Sequence, residues 1–73
     1  MVDITQGMPA IVADILAEAG RPMTIKELAA EIDRLGCKHA RPSTYLAAAS
    51  ALARRRKYHR DVERVGMGRW ARK

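Results

Sequence analysis

Apolar side chains recur at Met8, Ile11, Val12, Ile15, Leu16 and Ala19, the spacing of one face of an α-helix. Pro9 suits the first turn of that helix, where its missing N–H removes no helical bond. Gly20 fits a left-handed stop just past the end, and Pro22 bars continuation. Met23 falls in a short extended link. Thr24-Ile25-Lys26-Glu27 then reads as a capping box: the hydroxyl accepts a first-turn N–H, and the Glu27 carboxylate returns to the Thr24 amide. Ile25, Leu28, Ile32 and Leu35 make the stripe of a second helix that Gly36 ends, while Glu31, Asp33 and Arg34 fall off it towards water. Both helices are short and amphipathic. They can bury their stripes together, and they need a third partner.

Residues 36–41 form the connecting turn, and Pro42 marks the start of a third helix. Either Pro42 sits at the first helical position or Ser43 caps the helix one residue later. The stretch from Tyr45 to Arg56 is alanine-rich and strongly helix-forming. Tyr45, Ala49 and Leu52 are expected to face the first two helices, with Leu46 and Ala53 beside them. The opposite face would then present Ser43, Thr44, Ala47, Ala48, Ala51, Arg54 and Arg55.

Beyond Lys57 the pattern turns extended. Val62 to Val65 form one arm of a hairpin, Gly66-Met67-Gly68 its turn, and Arg69 to Arg72 the other arm. Two glycines astride one residue supply the positive φ angles of a tight turn. Val62 and Val65 have opposite parity, so either the strand bulges or one of them points outward. A two-stranded hairpin is marginal alone, so it must pack on the helices or pair with the Met23 link. Trp70 is its natural anchor. The expected fold class is mainly α with a small β-hairpin: a winged helix-turn-helix of three helices and a C-terminal wing. It spans residues 8–73 after an N-terminal arm, residues 1–7.

Composition fits one small domain. The chain has 73 residues, 48% of them hydrophobic and 30% charged, which marks a folded protein near the lower size limit for an unaided core. Alanine inflates the apolar share, so the few large apolar side chains must be core. No apolar run approaches the roughly 18 residues of a membrane span, and no signal peptide is visible. A single cysteine, Cys37, excludes an intramolecular disulfide and suits a reducing cytosol. A cytoplasmic location is expected, nucleoid-associated if the chain binds DNA.

Charge changes the picture more. Residues 1–36 carry Arg21, Lys26 and Arg34 against Asp3, Asp14, Glu18, Glu27, Glu31 and Asp33, a net of −3. Residues 37–73 carry eleven bases against Asp61 and Glu63, a net of +9, which brings the chain to +6. Segregation of this size creates a field that attracts a polyanion.

The order I-L-A-E-A-G-R-P-M-T-I-K-E-L-A, a Pro-led third helix and V-E-R-V-G-M-G-R-W-A resembles the winged helix-turn-helix class. Within that class the chain is most similar to the HARE type, over roughly residues 8–72. That type shares a G-x-P-M-T link before helix two and an aromatic-x-R-V-G-x-G-x-W wing. HARE-type domains occur attached to DNA-modifying and chromatin proteins, and a related domain sits in an accessory subunit of bacterial RNA polymerase. The resemblance implies that Ser43, Thr44, Ala47 and Ala51 match positions presented to a major groove, and that Arg64, Met67 and Arg69 match the wing. Two departures stand out. Val62 replaces a frequent aromatic, and alanines stand where a sequence reader offers arginine, asparagine or glutamine.

Bidentate donors and acceptors are what read a base pair, and alanine reaches only a thymine methyl. Arg41, Ser43, Thr44 and Arg54 remain for that role, at the two ends of the helix. Phosphate contacts are well supplied by Arg54, Arg55, Arg56, Lys57, Arg60, Arg64, Arg69, Arg72 and Lys73; such contacts position a protein without giving it sequence preference. The expectation is a monomer that binds double-stranded DNA mainly through electrostatics, in a regulatory or architectural role, with no cofactor. A protein-interaction module docking through the acidic N-terminal half is the second reading, and an RNA-binding variant the third. Cys37, His39 and His59 match no zinc spacing, and both histidines read as exposed or phosphate-contacting. Ser50 has no histidine partner to activate it, and Gly66-Met67-Gly68 opens no helix as a phosphate loop would. An enzyme is not expected.

Overall fold

The computed structural model describes residues 2–73. Helix α1 (Met8–Ala19) starts after an extended Gly7, carries Pro9 in its first turn, and stops at Gly20. Gly20 lies in the left-handed region at φ 63 and donates its N–H to the Leu16 carbonyl. Helix α2 (Ile25–Leu35) carries the full capping box: Glu27 N–H donates to Thr24 Oγ1 at 3.1 Å, and Thr24 N–H donates to Glu27 Oε1 at 3.0 Å. That backbone donor, with Arg21 at 3.2 Å, holds the Glu27 carboxyl below the usual carboxylate range. Thr24→Ala is expected to destabilise the domain by about 1 kcal/mol in urea unfolding, within the range of measured caps, whereas Thr24→Ser keeps the hydroxyl and most of the stability.

Helix α3 (Thr44–Tyr58) resolves the cap alternatives in favour of Ser43, whose hydroxyl accepts the Leu46 N–H at 3.1 Å. The helix also continues two residues beyond the expected Arg56. Ahead of α1, Asp3 folds the arm into a turn by accepting the Thr5 N–H and hydroxyl at 3.0 and 2.6 Å. Gln6 then donates to Asp14 at 2.7 Å, and Val2 packs against the core. Met1 lies outside the described residues.

Three strands complete the domain: β1 (Met23–Thr24), β2 (Val62–Val65) and β3 (Arg69–Arg72), in the order β1-β3-β2. Both pairings are antiparallel, with Met23 opposite Trp70 and Val65 opposite Arg69. The hairpin therefore pairs with the link between α1 and α2, as its marginal stability alone requires. Its register runs without a bulge from Val62–Arg72 to Val65–Arg69, so the two valines point to opposite faces. Val62 enters the core, and Val65 is half-buried on the other face. Gly66 and Gly68, at φ 64 and 67, supply the turn.

The core is built from Ile11, Val12, Ile15 and Leu16 of α1, Met23, Leu28 and Ile32 of β1 and α2, Leu52 of α3 and Val62 of β2. Trp70 is half-buried and packs against this cluster.

Helix α3 contradicts the expected facing. Ala47, Ala48, Ala51 and Leu52 are its buried residues, whereas Tyr45 and Leu46 are 51% and 49% exposed. Three alanines and one leucine let α3 lie close against α1 and α2, and a tyrosine has no room in that contact. The two large residues of the first turn consequently face out.

Candidate nucleic-acid interface

The junction between α3 and the wing is fixed by one carboxylate. Asp61 accepts Arg55 Nε at 2.7 Å and Arg55 Nη2 at 2.6 Å, a two-pronged pair. Arg72 Nη2 stands 3.2 Å from the same carboxylate, and Arg72 Nη1 donates to the Ala13 carbonyl at 3.2 Å. The Lys73 N–H donates to the Asp61 carbonyl at 2.9 Å. Asp61, which leads directly into β2, thus joins α3 to the wing, and Arg72 carries the link on to α1. Hydrogen bonding from Arg55 holds its carboxyl below the ordinary range, and the same bond raises the Arg55 guanidinium. Arg55 and Arg72, both expected on the DNA-binding face, each commit two nitrogens to the scaffold: Nε and Nη2 of Arg55, and Nη1 and Nη2 of Arg72.

Ala47 and Ala51 also leave the expected face, because both are core residues at 3% and 2% exposure. At about 100° per residue, the outward stripe of α3 is instead Leu46, Ala49, Ser50, Ala53 and Lys57, with Arg54 and Arg56 on its two flanks. Arg54 lines a cleft of about 200 Å³ with Lys38, His39, Arg41 and Ser50. Arg41 lies along that flank, its Nη2 donating to Ser50 Oγ at 3.0 Å. Arg56, Lys57 and Arg60 line the opposite flank with Ala53 and Trp70. Sequence reasoning missed Leu46 and Ala53 as exposed residues and Ala49 as a half-buried one on the same stripe. Leu52 faces inward as expected, but Ala47, Ala48 and Ala51 share that side with it.

The first turn of α3 is more occupied than expected. The Ser43 hydroxyl is committed to the cap. Thr44 Oγ1 donates to Asp33 Oδ1 at 2.6 Å and meets His39 Nε2 at 3.2 Å. His39 is accordingly half-buried, not exposed, with its Nδ1 buried and unpartnered among the described residues. His59 is exposed.

The cations divide by half of the chain. Arg21 pairs with Glu27 at 3.2 Å and Arg34 with Glu31 at 2.8 Å, so much of the acidic half is neutralised internally. Among the described residues, the side chains of Arg54, Arg56, Arg60, Arg64, Arg69 and Lys73 make no ion pair or side-chain hydrogen bond. Lys57 rests over the Tyr58 ring at 5.3 Å. At the wing tip Met67 is 94% exposed, with Arg64 and Arg69 near the base of the turn. Among the described residues no group of three or more His, Cys, Asp or Glu side chains is placed to hold a metal ion, and no helix is long and apolar enough to cross a membrane.

Three helices followed by a hairpin, whose second strand pairs back to the link between the first two, define a winged helix-turn-helix. The chain belongs to the HARE-HTH family. The family model, whose description names ASXL and a restriction endonuclease HTH domain, matches residues 10–73. Comparisons with curated proteins and with solved structures returned no match. The family places the chain among DNA-binding helix-turn-helix modules.

Proposed function

We propose that this domain binds duplex DNA chiefly through backbone phosphates, with modest sequence preference, in a regulatory or architectural role. One observation carries the reading: the outward stripe of α3 is uncharged through Leu46, Ala49 and Ala53, and cations stand on both sides of it. A helix of about 10–12 Å diameter fits a major groove about 12 Å wide. In that pose the flanking arginines meet the two phosphate rails and the small residues meet base edges. Alanine and leucine offer contact to thymine methyls but no hydrogen bonds, which keeps base selection weak. Neutralising about five phosphates predicts a log–log salt slope of about −4 to −5. Fluorescence titration of a short duplex at several salt concentrations measures it, and a flat response rules the reading out.

A second reading has its own support. A cleft of about 850 Å³ between α1 and α2 has Ile15, Ala19, Met23 and Leu35 in its lining and Glu18, Glu27 and Glu31 among its charged residues. It would suit a protein partner docked on the acidic half. Pull-down with Arg54, Arg56 and Arg64 changed to alanine separates the two: a partner retained without DNA favours docking.

A further inference from the structure

Helices α1 and α2 end on glycines in the left-handed region, Gly20 at φ 63 and Gly36 at φ 73. Helix α3 ends differently. After His59 the chain turns through Arg60 at φ 57, the one non-glycine residue with positive φ among those described. The N–H groups of His59 and Arg60 both donate to the Arg55 carbonyl at 2.9 Å, so the turn is a helix stop of the kind that favours glycine. For an L-residue this conformation is strained, and strain of this kind is retained where the side chain has a use.

The side chain of Arg60 shows what that use is. It lines a cleft of about 310 Å³ with Arg56 from α3, Arg64 from β2 and Lys73 beyond β3. Four cations from separate stretches of chain converge there, with Glu63 as the single carboxylate of the lining. None of the four has an ion-pair partner among the described residues. Self-repulsion of this kind disfavours the compact state unless an anion enters. The cleft also sits over the Asp61 junction: Lys73 N–H is bonded to the Asp61 carbonyl, and Arg55 within α3 to its carboxylate. The backbone that carries these side chains is therefore held in place before any ligand arrives.

We infer that Arg56, Arg60, Arg64 and Lys73 form a phosphate clamp at the α3–wing junction, and that the left-handed Arg60 is retained to aim its guanidinium into that clamp. The ligand is a phosphodiester of the DNA backbone, so the inference rests on the function proposed above. It adds that the contact is a discrete site, not a share of a diffuse basic surface.

Arg60→Gly separates structure from binding because it moves the two in opposite directions. Glycine relieves the left-handed backbone, so the melting temperature should stay level or rise. Loss of one solvent-exposed phosphate contact should weaken duplex binding about threefold to tenfold, with the salt slope shallower by about one. Glu63→Gln should tighten binding by removing the one acidic side chain that lines the cleft among the described residues. If the parent domain binds duplex with a steep salt slope but Arg60→Gly binds equally well, the clamp is wrong while DNA binding stands. If the parent shows no salt-dependent binding, the underlying reading fails first and takes the clamp with it. Titration with inorganic phosphate at matched ionic strength provides the last arm. Saturation of the Arg60 and Lys73 amide shifts by free phosphate would assign the cleft to a free anion and overturn the proposal.

Discussion

Leu52→Ala is expected to remove about 2–5 kcal/mol of unfolding free energy. A chain of this length holds roughly 4–11 kcal/mol in total, at about 0.05–0.15 kcal/mol per residue. The loss is thus a large fraction of the whole, and the melting temperature should drop by at least roughly 10 °C. Leu52 is fully buried, and its buried companions on α3 are Ala47, Ala48 and Ala51. Alanines have no rotamers with which to refill the space, so the cavity persists and its cost is added to the lost transfer energy. Leu46→Ala, on the outward stripe, should change stability by no more than about 0.5 kcal/mol. Urea unfolding of the two variants reads the orientation of α3 directly. Leu52 faces inward under either facing, so Leu46→Ala is the variant that decides: a loss of about 2 kcal/mol or more there would turn the helix back to its expected facing.

Asp61→Asn should destabilise the domain by about 1–3 kcal/mol at pH 7, because Arg55 then keeps one neutral acceptor where it had a carboxylate. The pair is only 16% and 25% exposed at its side chains, so solvent does little to replace the lost charge. The sign of the pH dependence follows from the shift. The folded-state carboxyl lies below the ordinary 3.8, so the pair contributes fully above that value and its contribution fades as pH falls through the lower, folded one. Parent and variant should therefore differ at pH 7 and converge only below pH 3.8. Unfolding curves at pH 7 and near pH 3 test this. A gap that closed already at pH 5 would show that other groups dominate.

Helices α1 and α2, their caps and the wing were legible because each carried contrast. Ile, Leu and Val alternate with charge at helical spacing, Thr24 and Glu27 stand three residues apart, and Gly66 and Gly68 bracket one residue. Helix α3 lacks that contrast. Ala47, Ala48, Ala49, Ala51 and Ala53 are interchangeable to a periodicity argument, so Tyr45 and Leu46 dominated the expected facing by size alone. Small residues were in fact selected inward, where helices approach closely. The roles of Arg55 and Arg72 were hidden for another reason. Asp61 reads as an ion-pair partner among many bases, but the sequence does not say which bases it takes. Only the fold brings Arg55 of α3 and Arg72 of β3 to it, and the Ala13 carbonyl to Arg72. Arg60 carried no signal at all, since a positive φ at a non-glycine residue has no mark in composition.

Strand β3 lies between β1 and β2, and β1 runs directly into the Thr24 cap of α2. The wing is thus hydrogen-bonded on one edge to the frame of the helices and cannot swing as a flap. For the DNA contact proposed here, little main-chain freedom remains to be surrendered, and ordering is confined to the long side chains of Arg64, Arg69 and their neighbours. Association of this kind lacks the calorimetric signature of coupled folding, a large negative heat-capacity change. Most of its driving force should then come from the ions that leave the duplex.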